Sequence, residues 1–287
     1  MLPLESVPNV SEGRDAATIA ALAAAFGSAA RLLDVHSDAD HNRSVYTLAG
    51  EDEALAESLV AGIAAAVERI DVRRHEGAHP RVGAVDVVPV VPLRPEDEPR
   101  ARTVALEVAG RVADELRLPV YFYGSLTEDR REPAYFRRGN LDWLRPDRGP
   151  ALHPSAGAVL VGVRRPLIAL NVNLASNDLE AAREIAAVVR ETGGGFPGVR
   201  ALGLELERAG HVQVSMNVTD WQAAPPHEVV GRIHAEAATR GIEVAGTELV
   251  GLIPAGAVLA AAEAPLGIEG LGNRHVLELR ILEDTLT

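Results

Sequence analysis

Two histidines four residues apart, in His75-Glu76-Gly77-Ala78-His79, form the most overtly chemical stretch of the chain. The pattern matches H-E-x-x-H, which on a helix turns both imidazoles to one face for zinc and leaves the glutamate as a base. The local context argues against that use. Gly77 sits between the histidines, Pro80 biases His79 away from helical angles, and an apolar, strand-like run begins at Val82. A third ligand could come from His36, Asp38, Asp40 or His41, so a zinc hydrolase built on His75 and His79 stands as the remote alternative. A loop histidine beside Arg73, Arg74 and Arg81 suits proton transfer better, because imidazole titrates near neutrality and both accepts and returns a proton. The plain alternative is a histidine that only hydrogen-bonds backbone.

A second concentration lies further along. Six of the ten aromatic residues fall between 121 and 143: Tyr121, Phe122, Tyr123, Tyr135, Phe136 and Trp143. Between 130 and 148 there are six arginines against three acidic residues, on a chain of net charge −13. Stacking and bidentate arginine pairing suit a flat ring that carries carboxylates. A surface excursion merely anchored by its aromatics is the competing reading. Directly after it comes a run of Gly149, Pro150, Ala151, Leu152, His153, Pro154, Ser155, Ala156 and Gly157. Its glycines and prolines make a loop whose backbone can approach a ligand closely, or an ordinary connection.

What is missing narrows the chemistry. The 287 residues include no cysteine and no lysine; all 28 basic side chains are arginine. That excludes thiolate catalysis, disulfides, cysteine-ligated metals, Schiff-base chemistry and a lysine-bearing P-loop. The negative net charge disfavours nucleic acid. With no run near 18 apolar residues and no basic n-region at the start, a cytoplasmic protein with no membrane partner is expected.

Elements that must hold these residues repeat one order twice. In the second half, residues 167–173 read as a buried strand. A helix over 179–191 follows, capped by Asn177 or Asp178; then come strands at 199–206 and 211–218, a helix at 226–240 and a strand at 242–250. In the first half, strands at 2–7, 31–36, 44–50 and 82–91 alternate with helices at 14–30 and 52–69. A helix at 96–117 and a strand at 119–123 are additions. The order βαββαβ, read twice, predicts an α+β protein of two ferredoxin-like α/β sandwich subdomains, 1–165 and 166–287.

At this point the ordered motifs resemble one family. They are residues 6–13 (SVPNVSEG), 42–46 (NRSVY), 75–83 (HEGAHPRVG) with Asp86 and Pro89, 118–124 (LPVYFYG), 149–157, 161–164 (VGVR), 171–173 (NVN), 213–217 (QVSMN) and 249–254 (LVGLIP). Together they are similar to the glutamate formimidoyltransferases, the formiminotransferase half of formiminotransferase-cyclodeaminase. The resemblance implies two ferredoxin-like subdomains forming a groove, a homodimer, and a monofunctional enzyme without the cyclodeaminase half. It implies transfer of the formimino group of N-formimino-L-glutamate to N5 of tetrahydrofolate, a co-substrate, with no metal. It places the catalytic histidine at His79, the folate loop at 149–157, and further substrate or folate contacts at Asn42, Arg43 and Arg164. Two departures stand out: Ala156 replaces a tryptophan of animal members, and His36 an acidic residue.

The chemistry so implied needs a base for the N5 proton and a proton for the departing glutamate nitrogen, and His79 supplies both. Asp38 or Asp40 would orient an imidazole or stabilise the cationic carbon, Arg43 would clamp a carboxylate, and His41 is the neighbouring candidate. Turn formation competes as the role of the two aspartates. A folate-binding or folate-salvage protein without transfer is the other reading. Because Gly77 and Pro80 oppose a helix through the two histidines, activity is expected to survive exhaustive chelation. A loss that only zinc restores would overturn this.

Overall fold

The computed structural model describes residues 2–78, 80–137, 141, 144–261 and 277. The chain divides into two compact units, Met1–Arg165 and Pro166–Thr287. It is a mixed α and β protein with two sheets, and no described helix is long and apolar enough to cross a membrane.

In the first unit, β1 (Leu4–Ser6) and β2 (Asn9–Val10) form one interrupted line. They run antiparallel to β4 (Arg43–Gly50) on one side and β5 (Val85–Val91) on the other. The gap falls at Val7-Pro8, where proline has no N–H for the ladder. α1 (Ala16–Phe26) starts later than the sequence suggests because Asp15 is its cap, accepting from the Ala17 and Thr18 amides. β3 (Arg31–Asp38) pairs with β4, and α2 (Asp52–Arg69) leads back towards β5. α3 (Glu98–Glu115), β6 (Val120–Gly124), a short α4 (Pro133–Phe136) and β7 (Val159–Val163) follow.

Sequence periodicity assigns no element to 159–163, and here the structure differs. β7 lies between β5 and β6, parallel to both. All five of its residues are buried, so the strand shows no alternation of polar and apolar positions and is too short to announce itself. The three long helices contribute to the main core, where Leu22, Phe26, Leu59, Ile63, Val104 and Val108 join Tyr46, Leu48, Val88 and Val161. A smaller cluster holds Val82, Val87, Tyr121, Tyr123, Phe136 and Leu160. Tyr121, Tyr123 and Phe136 are therefore packing residues, which favours the anchoring role over an open stacking surface. Trp143, Asp142 and Arg138 lie outside the described residues.

The second unit follows its sequence pattern closely: β8 (Ile168–Leu174), α5 (Leu179–Val189), β9 (Val199–Leu206), β10 (His211–Val218), α6 (Pro226–Thr239) and β11 (Val244–Val250), then α7 (Ala255–Ala260). Its sheet runs β11-β8-β10-β9, antiparallel throughout. Asp178 is the cap of α5, accepting from Ala181 N at 3.0 Å. Ile168, Leu170, Val172, Val212, Val214 and Met216 join Ile185 and Ile233 in one core. By strand alternation, Asn171, Asn173 and Gln213 occupy the other face of the sheet.

Helix α2 carries one position whose smallness is enforced by packing. A Cβ on Gly62 would overlap the fully buried ring of Phe26. Gly62→Ala would gain about 1 kcal/mol of helix propensity and lose roughly 1–3 kcal/mol to overpacking. A net loss of up to about 2 kcal/mol is expected in urea unfolding, against a gain at an unencumbered helical glycine such as Gly110, which has open space around it.

Candidate active site

The folate-loop candidate is docked backbone to backbone against the residues that lead into β5. Val72 N donates to Ser155 O at 2.8 Å, Ala84 N to Ala156 O at 2.9 Å, and Ala158 N to Val82 O at 3.2 Å. Gly83 makes this approach possible, because a Cβ there would collide with the carbonyls of Ala156 and Ala158. The loop closes on itself through reciprocal bonds between His153 and Gly157, at 2.9 and 3.0 Å. His153 Nδ1 accepts from Ala156 N at 3.0 Å, so its role here is to brace the loop. Ala156 is fully buried, whereas Gly149, Ala151, Leu152 and Pro154 are exposed and Pro150, Ser155 and Gly157 half-buried. Only part of the loop faces solvent, and the Ala156 side chain is not in that part.

The turn between β3 and β4 reaches the histidine segment. Ala78 N donates to Asp40 O at 3.1 Å. Asp38 accepts from His41 N at 2.7 Å, which is turn formation, and His41 is buried. Asn42 sits in the left-handed region with φ 46°. Its Oδ1 accepts from Gly13 N at 3.0 Å, while its Nδ2 donates to Glu76 O at 2.9 Å and lies 3.3 Å from His75 Nδ1. His75 itself is extended, with φ −88° and ψ 128°, so the first histidine of H-E-x-x-H is not on a helix. His79 lies outside the described residues; its neighbours Ala78 and Pro80 are exposed.

Beneath this surface the candidate contact Arg43 belongs to a charge cluster, with Asp86 and Arg137, whose grouping the sequence reading did not foresee. Asp86, 2% exposed, accepts from Val82 N at 2.9 Å, from Arg137, and sits 3.7 Å from Arg43. Arg43 also donates its Nε to Asn9 Oδ1 at 2.9 Å. Burial pulls Arg43 down to about 10; Asp86 opposes that shift, and Arg137 and Arg81 add to it. Arg43 therefore has protein partners as well as any carboxylate it would clamp. Arg81 is lowered too, first by burial, with Asp86 opposing and Arg14 adding. Tyr123 is pushed up to about 12 by burial, with the nearby positive charge of Arg164 and Arg137 opposing and Glu132 adding to it. Arg164 itself donates Nη1 to Arg165 O at 2.9 Å. The signal that could have found this cluster is one acid, Asp86, inside the apolar run 82–91.

Comparison with known proteins follows the same outline. The family model described as formiminotransferase domain, N-terminal subdomain, matches residues 3–164, and the formiminotransferase domain model matches residues 169–270. Both units thus fall in a class of group-transfer domain. The chain belongs to the formiminotransferase family. It is similar to a glutamate formimidoyltransferase of Streptococcus pyogenes serotype M1, 37% identical over 295 residues, covering 97% of this chain and 98% of that protein. A glutamate formimidoyltransferase of Thermoplasma acidophilum is 35% identical, with 97% of each chain covered. The formimidoyltransferase-cyclodeaminase of Rattus norvegicus is 37% identical over 280 residues, 90% of this chain and 51% of that one.

Removing Asp86 would leave the largely buried Arg43 and Arg137 side chains without their shared anion. Asp86→Ala is expected to cost roughly 3–5 kcal/mol in urea unfolding, the usual result of stripping one partner from a buried pair. Asp86→Asn, which keeps an acceptor for Val82 N, should cost less.

Proposed function

We propose that this protein transfers the formimino group of N-formimino-L-glutamate to N5 of tetrahydrofolate, giving 5-formiminotetrahydrofolate and L-glutamate. The observation that carries the proposal is near full-length similarity, 37% identity over 98% of a protein named glutamate formimidoyltransferase. The architectural proposal is that both units are ferredoxin-like. The element order βαββαβ and the 4-1-3-2 strand order of the second sheet support it.

The nucleophile belongs to the substrate, so a chain without cysteine or lysine loses nothing. N5 attacks the formimino carbon and forms a C–N bond, and the N5 proton passes to His79. Collapse of the tetrahedral intermediate breaks the bond to the glutamate nitrogen, which takes the proton back from His79. No net proton is consumed, and one imidazole of near-neutral pKa suffices for both transfers. Holding two reactants in contact supplies much of the remaining acceleration. For that, the loop 149–157 offers a backbone pinned at Ala84 and Val72, and its exposed residues Ala151, Leu152 and Pro154 present an apolar surface to the folate.

The direct test mixes the protein with formiminoglutamate and tetrahydrofolate and follows the 5-formimino product. His79→Ala is expected to lower kcat by about 100- to 10,000-fold, the span of a general acid–base group, with folate binding changed far less. A wild-type protein that binds tetrahydrofolate yet yields no product would instead favour a folate-binding protein.

A further inference from the structure

The Asn42 amide has no freedom to flip. Its oxygen must face Gly13, because a backbone N–H only donates, and its NH2 must face Glu76 O, because a carbonyl only accepts. The same NH2 lies against His75 Nδ1. An amide nitrogen has no lone pair to offer, so Nδ1 is the acceptor and the proton of neutral His75 sits on Nε2. That Nε2 is shielded from water and has no hydrogen-bond partner among the described residues. A shielded N–H without a partner among the described residues is a candidate donor to an acceptor. It is not a base, since its lone pair is already protonated.

Two arginines are held by the backbone of the adjoining segments. Arg14 Nε donates to Ala39 O at 2.8 Å, and Arg81 Nη2 to Gly77 O at 3.2 Å, so the backbone of this turn orients both guanidinium groups. Gly77 is the convergence point: a Cβ there would lie 2.9 Å from Arg81 Nη2 and 3.0 Å from Asn42 Cβ. Residues 76–78 are exposed, so the segment that carries His75 borders solvent. Two cations and one neutral N–H donor make a receptor for an anionic oxygen.

We propose that His75 is a substrate-binding residue whose Nε2–H, fixed in that tautomer by Asn42, hydrogen-bonds a carboxylate oxygen of the glutamate portion carried by both substrates, beside Arg14 and Arg81. The proposal rests on the transferase reading, which supplies the glutamate-bearing substrates. Two variants of the full chain separate the donor from the packing. In His75→Asn the shorter side chain keeps an acceptor for Asn42 but its NH2 falls short of the Nε2 position; in His75→Gln an amide N–H reaches that position.

His75→Asn is expected to raise one substrate's KM by about 10- to 100-fold, the value of a hydrogen bond to a charged group, with kcat within about threefold and an unchanged melting temperature. His75→Gln should recover most of that loss. A KM rise confined to formiminoglutamate assigns the donor's carboxylate. A rise confined to tetrahydrofolate, and missing for an analogue without its glutamate, assigns the folate tail. Wild-type kinetics in His75→Asn, a fall in kcat at constant KM, or equal damage in both variants would overturn the proposal. Should the wild type make no product, the transferase reading fails. Calorimetric titration of L-glutamate into wild type and His75→Asn then decides the carboxylate site alone, with equal affinity overturning it.

Discussion

Asp86 is a carboxylate placed where water cannot reach it, and the first unit is arranged to make that tolerable. An unpaired buried anion costs several kcal/mol even after relaxation. The partners that offset this come from separate parts of the chain: the Val82 amide, Arg43 from β4, and Arg137 from the end of α4. Satisfying one side chain therefore fixes the approach to β5, the end of β4 and the excursion after β6 relative to one another. Two guanidinium groups against one carboxylate leave positive charge over, and Arg81 and Arg14 extend it towards the surface. A chain of net charge −13 thus keeps a locally cationic cluster, and low dielectric makes those charges count for more than exposed arginines elsewhere.

The same cluster gives the histidine segment its precision. The described residues of 75–84 follow a short 3-10 turn that ends at Arg74 and lie in no helix or named strand. They are instead tied from both sides: by Asn42 and the Asp40 carbonyl on one, and by the loop 149–157 on the other. Each tie is backbone-directed and tolerates no added Cβ at Gly77 or Gly83. Loops carry chemistry well when a rigid frame overdetermines them, and here the frame is the pair β4 and β5 locked through Asp86.

Much of this was legible in the sequence, unevenly. The second unit could be read almost residue by residue because its signals are local: Asp178 as a cap, Pro226 at a helix start, alternation along 211–218. β7 was not legible, since a short strand buried on both faces resembles any apolar run. The aromatic cluster suggested ring binding, yet Tyr121, Tyr123 and Phe136 pack inside; composition registers that rings are present and is blind to which way they face. Asn42 and His75 are separated by 33 residues, and nothing in either segment alone announces the pairing.

That pairing also resolves what the motif left ambiguous. As a string, H-E-x-x-H presents two interchangeable imidazoles, equally fit to ligate zinc or to move protons. A metal ligand must offer a lone pair, and a general base must offer one too. His75 offers neither: its Nδ1 pair is engaged by the Asn42 amide and its Nε2 is protonated. Reversing this would require turning the amide, which sacrifices the bonds to Gly13 and Glu76 together. Hydrogen bonds to buried groups are cheap to keep and costly to leave unmade, so the fold itself removes His75 from both roles.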